Sequence, residues 1–466
     1  MRQSALFFSK IASSYLLIFI LCLTYIGCAT YGTKVEQVQT NLIKGNYEDA
    51  LKNLNKTKSN RSMLLYLMEK GIILHYADRY EESNNVFDQA EFLSEDLYTK
   101  SISKEAGALF TSDNILSYSG EKYERALIHY YKAFNYIKLN LPYSALIECR
   151  KVTLLLQEYS DQAEGKSTAY SDDAFMQYLA GVLFESQNEL NDAFISYRKS
   201  EEAFEKYAKA YNIQPPQSLK YDLLRLSKSL NFIEEYEQYK AKYNINDDPK
   251  DVDPNDGVLI LIHENGFAPR KSAFDLFLPI LKTDNLDSKL DMVSYSGRLR
   301  ERANKNYNEN ELEYLLRVSI PQYVSNRPII SYVRLNTDGV NVRSEMIQDI
   351  EAIAFKDFEE QMPMILLKTI TRGLTKYLAF RTANKKDKSA GFLVNIFNFV
   401  TESADTRSWL SLPNNYQMIR TTLPSGKHTL QLNFYDNKGV LVKSEKIDNI
   451  EIKSGKFTFL NYRTYK

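Results

Sequence analysis

Cys28 is the residue of this chain best placed for covalent chemistry. It follows Tyr25-Ile26-Gly27, at the end of an apolar stretch over residues 11–26 that Arg2 and Lys10 introduce. A short basic start, an apolar middle and a small residue ahead of a cysteine form the layout of a bacterial lipoprotein signal. In that chemistry the Cys28 thiol is diacylated and residues 1–27 are removed. The alternative is an uncleaved signal anchor, but the stretch has 16 residues where a spanning helix needs roughly 20. Acyl chains at about 0.8 kcal/mol per buried CH2 would then hold the protein stably on a membrane. Tyr25 departs from the usual Leu. Ala29 stands where an Asp would signal inner-membrane retention, so the expected address is the outer membrane, on its periplasmic face.

Two other stretches invite a chemical reading. His263-Glu264-Asn265-Gly266 pairs an imidazole with a carboxylate, the groups of acid–base catalysis. Asp251-Val252-Asp253-Pro254-Asn255-Asp256-Gly257 starts like a calcium loop, yet its sixth position is not Gly and its twelfth is Ile262 rather than Glu. The chain has no HExxH, GxSxG or Walker loop. The expectation is therefore a protein that is not an enzyme and carries no cofactor or metal, with a turn at His263 and a solvated acidic connector at 251–257.

Composition narrows the classes further. Residues 1–27 hold two basic and no acidic side chains, which leaves 57 basic against 59 acidic residues in the rest. That balance offers nothing to nucleic acid. Of three cysteines, Cys22 lies in the signal and Cys28 carries the lipid, so Cys149 has no partner for an internal disulfide and is expected in the core.

The elements that must position these residues fall into two halves, with expected boundaries at 28–243, 244–257 and 258–466. The first half is helical and repetitive. Gly45-Asn46-Tyr47-Glu48-Asp49-Ala50-Leu51, Asp78-Arg79-Tyr80-Glu81-Glu82-Ser83, Glu121-Lys122-Tyr123-Glu124-Arg125-Ala126-Leu127 and Asn191-Asp192-Ala193-Phe194 each read as a turn followed by a small residue at a helix crossing. Gly71 precedes Ser83 by 12 positions and Gly181 precedes Ala193 by 12, and Leu54, Phe87, Tyr130 and Tyr197 stand four after the small residues. This resembles the tetratricopeptide repeat, a helix–turn–helix that stacks into a solenoid. The spacing is irregular, and no repeat has the full consensus. A stacked array offers a concave face, which either binds a peptide or protein partner or covers the second half.

After the Asp- and Pro-rich connector at 244–257, the second half mixes strands with one helical region. Residues 258–263 read as a short strand, and 329–335 leads through Thr337-Asp338-Gly339 into 340–343 as a hairpin. Strands at 416–423, 428–435, 440–444 and 457–462 predict an antiparallel sandwich of immunoglobulin-like or transthyretin-like form. Residues 344–383 have helical periodicity, with Pro363 expected to open a second helix. Its end, with Arg372, Lys376, Arg381, Lys385, Lys386 and Lys388, reads as a solvated basic face. The fold class is thus multidomain: a TPR-like helical solenoid, then an α+β domain with a sandwich-like part.

His263-Glu264-Asn265-Gly266-Phe267-Ala268-Pro269-Arg270-Lys271, the stretch 349–372, and Ala404-Asp405-Thr406-Arg407-Ser408-Trp409-Leu410-Ser411-Leu412-Pro413 carry a family resemblance, together with Arg420, Leu423-Pro424 and Gly426-Lys427-His428. They are similar to an uncharacterised family of tetratricopeptide lipoproteins of Gram-negative bacteria. The resemblance implies envelope or cell-wall work, because members are encoded beside outer-membrane activators of penicillin-binding proteins. Within the last motif, Asp405, Arg407 and Trp409 form either an exposed recognition loop or a structural one, with Asp405 and Arg407 paired and Trp409 anchored in the core.

The sequence thus predicts a lipid-anchored periplasmic adaptor that engages a protein through its helical repeats. The alternative is a lipoprotein that binds a glycan or peptide in an aromatic pocket beside Trp409. The small ligand, if any, is not specified by the residues.

Overall fold

A computed structural model describes residues 31–103, 116–162, 170–246, 253–281, 312–386 and 403–465. Cys28, the 1–27 segment and residues 247–252 of the connector, with Asp251 of the calcium-like loop, lie outside these. Ten α-helices come first among the described residues: α1 Tyr31–Ile43, α2 Tyr47–Asn55, α3 Met63–Tyr76, α4 Tyr80–Ser103, α5 Lys122–Lys138, α6 Pro142–Gln162, α7 Ala174–Ser186, α8 Leu190–Tyr211, α9 Gln217–Ser229 and α10 Ile233–Tyr243. They form five hairpins. Each short turn within a hairpin reverses the chain through one left-handed residue: Gly45, Asp78, Asn140, Asn188 or Asn231, with φ between 58° and 71°. Asn, Asp and Gly tolerate that conformation best.

Two of the crossings rest on absent side chains. A Cβ on Gly71 would lie 2.5 Å from the Phe87 ring, and one on Gly181 would lie 2.3 Å from the Tyr197 ring. Ser83 Oγ closes the first crossing by donating to the Gly71 carbonyl at 2.8 Å. The 12-residue spacing therefore marks real helix contacts. The stretch from Glu121 to Leu127 is different. It is not a turn within a hairpin but the start of α5, with the Glu121 N–H donating to the Glu124 carboxylate at 3.1 Å. The turn of that hairpin is at Asn140-Leu141, and Ala145 is its small residue.

The second half contributes β1 Asp256–Asn265, β2 Arg270–Leu281, β3 Leu312–Val324, β4 Tyr332–Thr337, β5 Val340–Arg343, β6 Glu345–Asp349, helix α11 Ile350–Lys386, β7 Asn415–Pro424, β8 Gly426–Tyr435, β9 Leu441–Ile452 and β10 Phe457–Thr464. One sheet has the order β10-β1-β7-β6 and a second the order β5-β4-β8-β9. Leu259, Leu261, Ile419 and Leu423 of the first meet Val333, Leu335, Leu432 and Phe434 of the second in a common core, so the two sheets form a sandwich. It is not wholly antiparallel, because β1 and β10 run parallel.

The opposite face of the first sheet packs on the helices. Val258, Ile260 and Ile262 of β1, with Tyr416 and Met418 of β7, share one core with the residues of α1 to α9. A sheet covered on both faces needs apolar side chains in both directions, which is why residues 258–263 show no alternation. The strand β6 occupies 345–349, at the start of the stretch whose periodicity is helical, and α11 runs unbroken through Pro363 for 37 residues. Strands β2 and β3 form a separate two-stranded ribbon. Leu278, Ile280, Leu316 and Val318 of the ribbon pack against Ile370, Leu374 and Tyr377 of α11. Among the described residues no helix is long and apolar enough to cross a membrane.

Candidate functional site

One face of the helical array is covered: the chain's own second half packs against it. Residues 407–419 are an unbroken buried run, passing from the Trp409 motif into β7. Arg407 pairs with Asp405, Nη2 to Oδ2 at 2.6 Å and Nε to Oδ1 at 2.8 Å. Its Nη1 also donates to the carbonyls of Arg61 at 2.8 Å and Leu116 at 3.1 Å, which ties the segment to the loops that enter α3 and α5. Burial opposes charge on Asp405, but the Arg407 guanidinium holds its carboxyl below the ordinary value.

Trp409 is 1% exposed. Its ring lies 6.1 Å from both Phe87 of α4 and Tyr131 of α5. Two buried glutamates receive the backbone beside it: the Trp409 N–H donates to Glu124 Oε1 at 2.7 Å, and the Leu410 N–H donates to Glu69 Oε1 at 2.9 Å. Gln39 of α1 donates to the Leu410 carbonyl at 2.7 Å. Three helices thus grip one irregular segment through its backbone. Burial pushes both carboxyls up to about 7, against the pull of the amides they accept.

The sheet continues the filling. Glu264 of β1 accepts hydrogen bonds from Tyr76 at 2.7 Å and Tyr131 at 2.8 Å. Gln348 of β6 donates to Tyr130 at 3.0 Å and to Asp173 at 3.2 Å. Arg420 of β7 reaches Glu185 of α7 at 2.9 Å and Asp222 of α9 at 3.1 Å. Lys271 of β2 meets Glu121 ahead of α5. A pocket beside Trp409, which a glycan or peptide ligand would require, is occupied by aromatic side chains. A groove of about 480 Å³ lies elsewhere among the described residues, between Tyr323, Phe355, Phe358, Met362 and Ala210.

The candidate acid–base pair is divided by the strand pleat, which sends neighbouring side chains to opposite faces. Glu264 faces the helices. His263 faces the sandwich core, with Nε2 2.8 Å from Thr464 Oγ1 and its ring 5.3 Å from Phe434. Burial pushes its pKa down to about 3, which favours a neutral imidazole. The remaining histidines are apart from it and from one another: His75 beside Asn135, His129 beside Glu148, and His428 beside Asp338.

Glu91, His129 and Glu148 bring ligand-type atoms within 4.8 Å of one another, a grouping the sequence spacing does not reveal. Their charge is already met from within. Lys132 Nζ lies 2.5 Å from Glu91, 3.1 Å from Glu148 and 2.8 Å from Asp88, and Lys151 bonds Glu91 at 2.7 Å. This is a closed ion network. Cys149 is buried, as a core thiol would be.

The sequence matches no protein-family profile and no curated protein. Solved structures share a fold likeness with about half of the chain. The apo form of RapI gives a TM-score of 0.33 at 12% identity over 49% of this chain and 59% of its own. MamA from Desulfovibrio magneticus RS-1 gives 0.26 at 15% identity over 47% of this chain and 97% of its own. YrrB, described as a TPR protein with an unusual peptide-binding site, gives 0.27 at 12% identity over 48% of this chain and 89% of its own. The chain spans 59% of the length of RapI. Likenesses this low do not carry those proteins' binding properties to this one.

Proposed function

We propose that this chain is a lipid-anchored, non-enzymatic scaffold of the bacterial envelope, held by Cys28 on the periplasmic face of the outer membrane. Its partner is a protein, and the family resemblance points to cell-wall machinery. Residues 407–419 occupy the helical face that packs on the β domain, so the partner surface lies elsewhere on the helices.

The observation that supports a location is the edge formed by the five hairpin turns. Ile43, Leu141, Tyr143 and Ile233 stand there with relative exposures of 54%, 46%, 55% and 64%, and Ile147 and Ile195 follow close behind on α6 and α8. The first turn is tied to the second, Arg79 to Glu48 at 3.0 Å, and the third to the fourth, Tyr143 to Glu189 at 2.6 Å. Exposed apolar side chains rimmed by polar ones mark interaction surfaces.

The test is to crosslink cells making the native protein, purify it and identify what comes with it, with Cys28→Ala as the control. Envelope proteins enriched with the native chain and lost in the control are the predicted result. A native preparation carrying no protein partner would overturn the scaffold reading.

A further inference from the structure

We propose that the loop joining the first two helix hairpins, with Lys56, Lys58 and Arg61, lies against the anionic surface of the membrane that holds the protein. The inference rests on the Cys28 anchor proposed above and adds which way the body faces.

Covalent reach sets the first limit. Tyr31 is buried in the first helix, with 8% of its surface exposed. It stands three positions after Cys28, and at no more than about 3.6 Å per residue the acylated cysteine stays within roughly 11 Å of Tyr31. The body therefore begins at the membrane, with no long tether.

Hairpin geometry then says which surface is close. Chain α1 runs away from Tyr31 and α2 returns, so Asn55 and the loop after it sit at the Tyr31 end. That end is fixed: Tyr66 donates to Asn55 Oδ1 at 2.8 Å, and the Arg61 carbonyl accepts the Tyr118 N–H at 2.9 Å as well as Arg407.

Charge separates this loop from the turns. Residues 50–68 hold Lys52, Lys56, Lys58 and Arg61 and no acidic residue. Lys56, Lys58 and Arg61 are exposed. The opposite, turn-bearing rim is acidic: Glu48 and Asp49 open α2, Glu81 and Glu82 open α4, Asp192 opens α8, and Glu234 and Glu235 open α10. An anionic leaflet attracts cations within about a Debye length of its surface and repels the acidic rim. Both forces turn the body the same way, with the apolar turn edge directed away from the bilayer.

The experiment uses the full chain, acylated in a bacterial host and placed in vesicles of phosphatidylglycerol and phosphatidylethanolamine that carry a headgroup-quenching lipid. A fluorophore is attached at Asn60→Cys in one variant and at exposed Lys44→Cys, in the first turn, in another. Loss of fluorescence at position 60 and little loss at 44 is the expected result, and changing Lys56, Lys58 and Arg61 together to Gln should reduce the loss at 60. Equal quenching, or stronger quenching at 44, would overturn the orientation. Vesicle flotation reads the anchor separately. A chain that does not float removes the anchor and this inference together, whereas a chain that floats without position-dependent quenching removes only the inference.

Discussion

The Trp409 backbone amide donates to Glu124 Oε1 across 285 residues of sequence, at 2.7 Å in a fully buried setting. This bond and its neighbour from Leu410 to Glu69 make the helical array and the β domain one body. The helices hold a segment of backbone, and that segment is the chain's own.

Trp409→Ala should therefore destabilise the whole protein rather than one loop. Truncating a buried Trp costs about 3–5 kcal/mol, and here the ring bridges α4 and α5. Urea unfolding followed by circular dichroism should show one transition at a clearly lower midpoint, with Trp409→Phe falling between. A midpoint unchanged by the Ala substitution would mean that the segment is not part of the core.

Stability should fall as the pH rises from about 5 to 7.5. Burial lifts Glu69, Glu124 and Asp357 to about 7 from ordinary values of 4.5, 4.5 and 3.8. A raised native pKa means that the native state binds more protons than the unfolded chain in this window. Its contribution is complete below the unfolded value and is lost as pH passes the folded one. Urea midpoints at pH 5.5 and 7.5 measure this, and Glu69→Gln should narrow the difference. Stability that rises across the window would contradict the assignment.

Arg420→Met tests the ionic lock between β7 and the helices. The change leaves Glu185 and Asp222 buried with only Arg225 to balance them, at 2.7 Å and 3.1 Å. Removing one partner of a buried ion pair costs about 3–5 kcal/mol. Adding Asp222→Asn in the same chain should recover part of the loss. Full stability in the single variant would show that the network contributes nothing.

Gly71→Ala and Gly181→Ala place a methyl where Phe87 and Tyr197 already are. Overpacking of this kind costs about 1–3 kcal/mol. Pairing Gly71→Ala with Phe87→Leu should relieve the strain, which thermal unfolding of the single and double variants would read.

The residues that show how much of this was legible are the same glycines. Gly71 with Ser83 and Phe87, and Gly181 with Ala193 and Tyr197, announce helix crossings because a close approach needs a small residue at a fixed local spacing. The Asp338-Gly339 hairpin is legible for a similar reason: both residues adopt positive φ.

Long-range compensation left no such trace. In α5, residues 123–135 are all buried, the charged side chains of Glu124, Arg125 and Lys132 among them. Glu124 is matched by Trp409, and Lys132 by Glu91 and Glu148, none of them neighbours in sequence. The parallel pairing of β10 with β1, Val258 opposite Phe457, is also long-range and likewise gives no local signal. Residues 344–349 carried helical periodicity, yet Glu345 to Asp349 pair with β7 because the sheet edge is there to receive them.

The scaffold reading makes its sharpest claim about the turn edge. A photo-crosslinking residue placed at Tyr143 or Ile233, with Val440 on the far β hairpin as the control, tests it in living cells. The predicted result is protein adducts from positions 143 and 233, few from 440, and loss of the adducts when Cys28 is changed to Ala. No adducts from either turn position, or adducts that persist equally without Cys28, would contradict an anchored scaffold working through that edge.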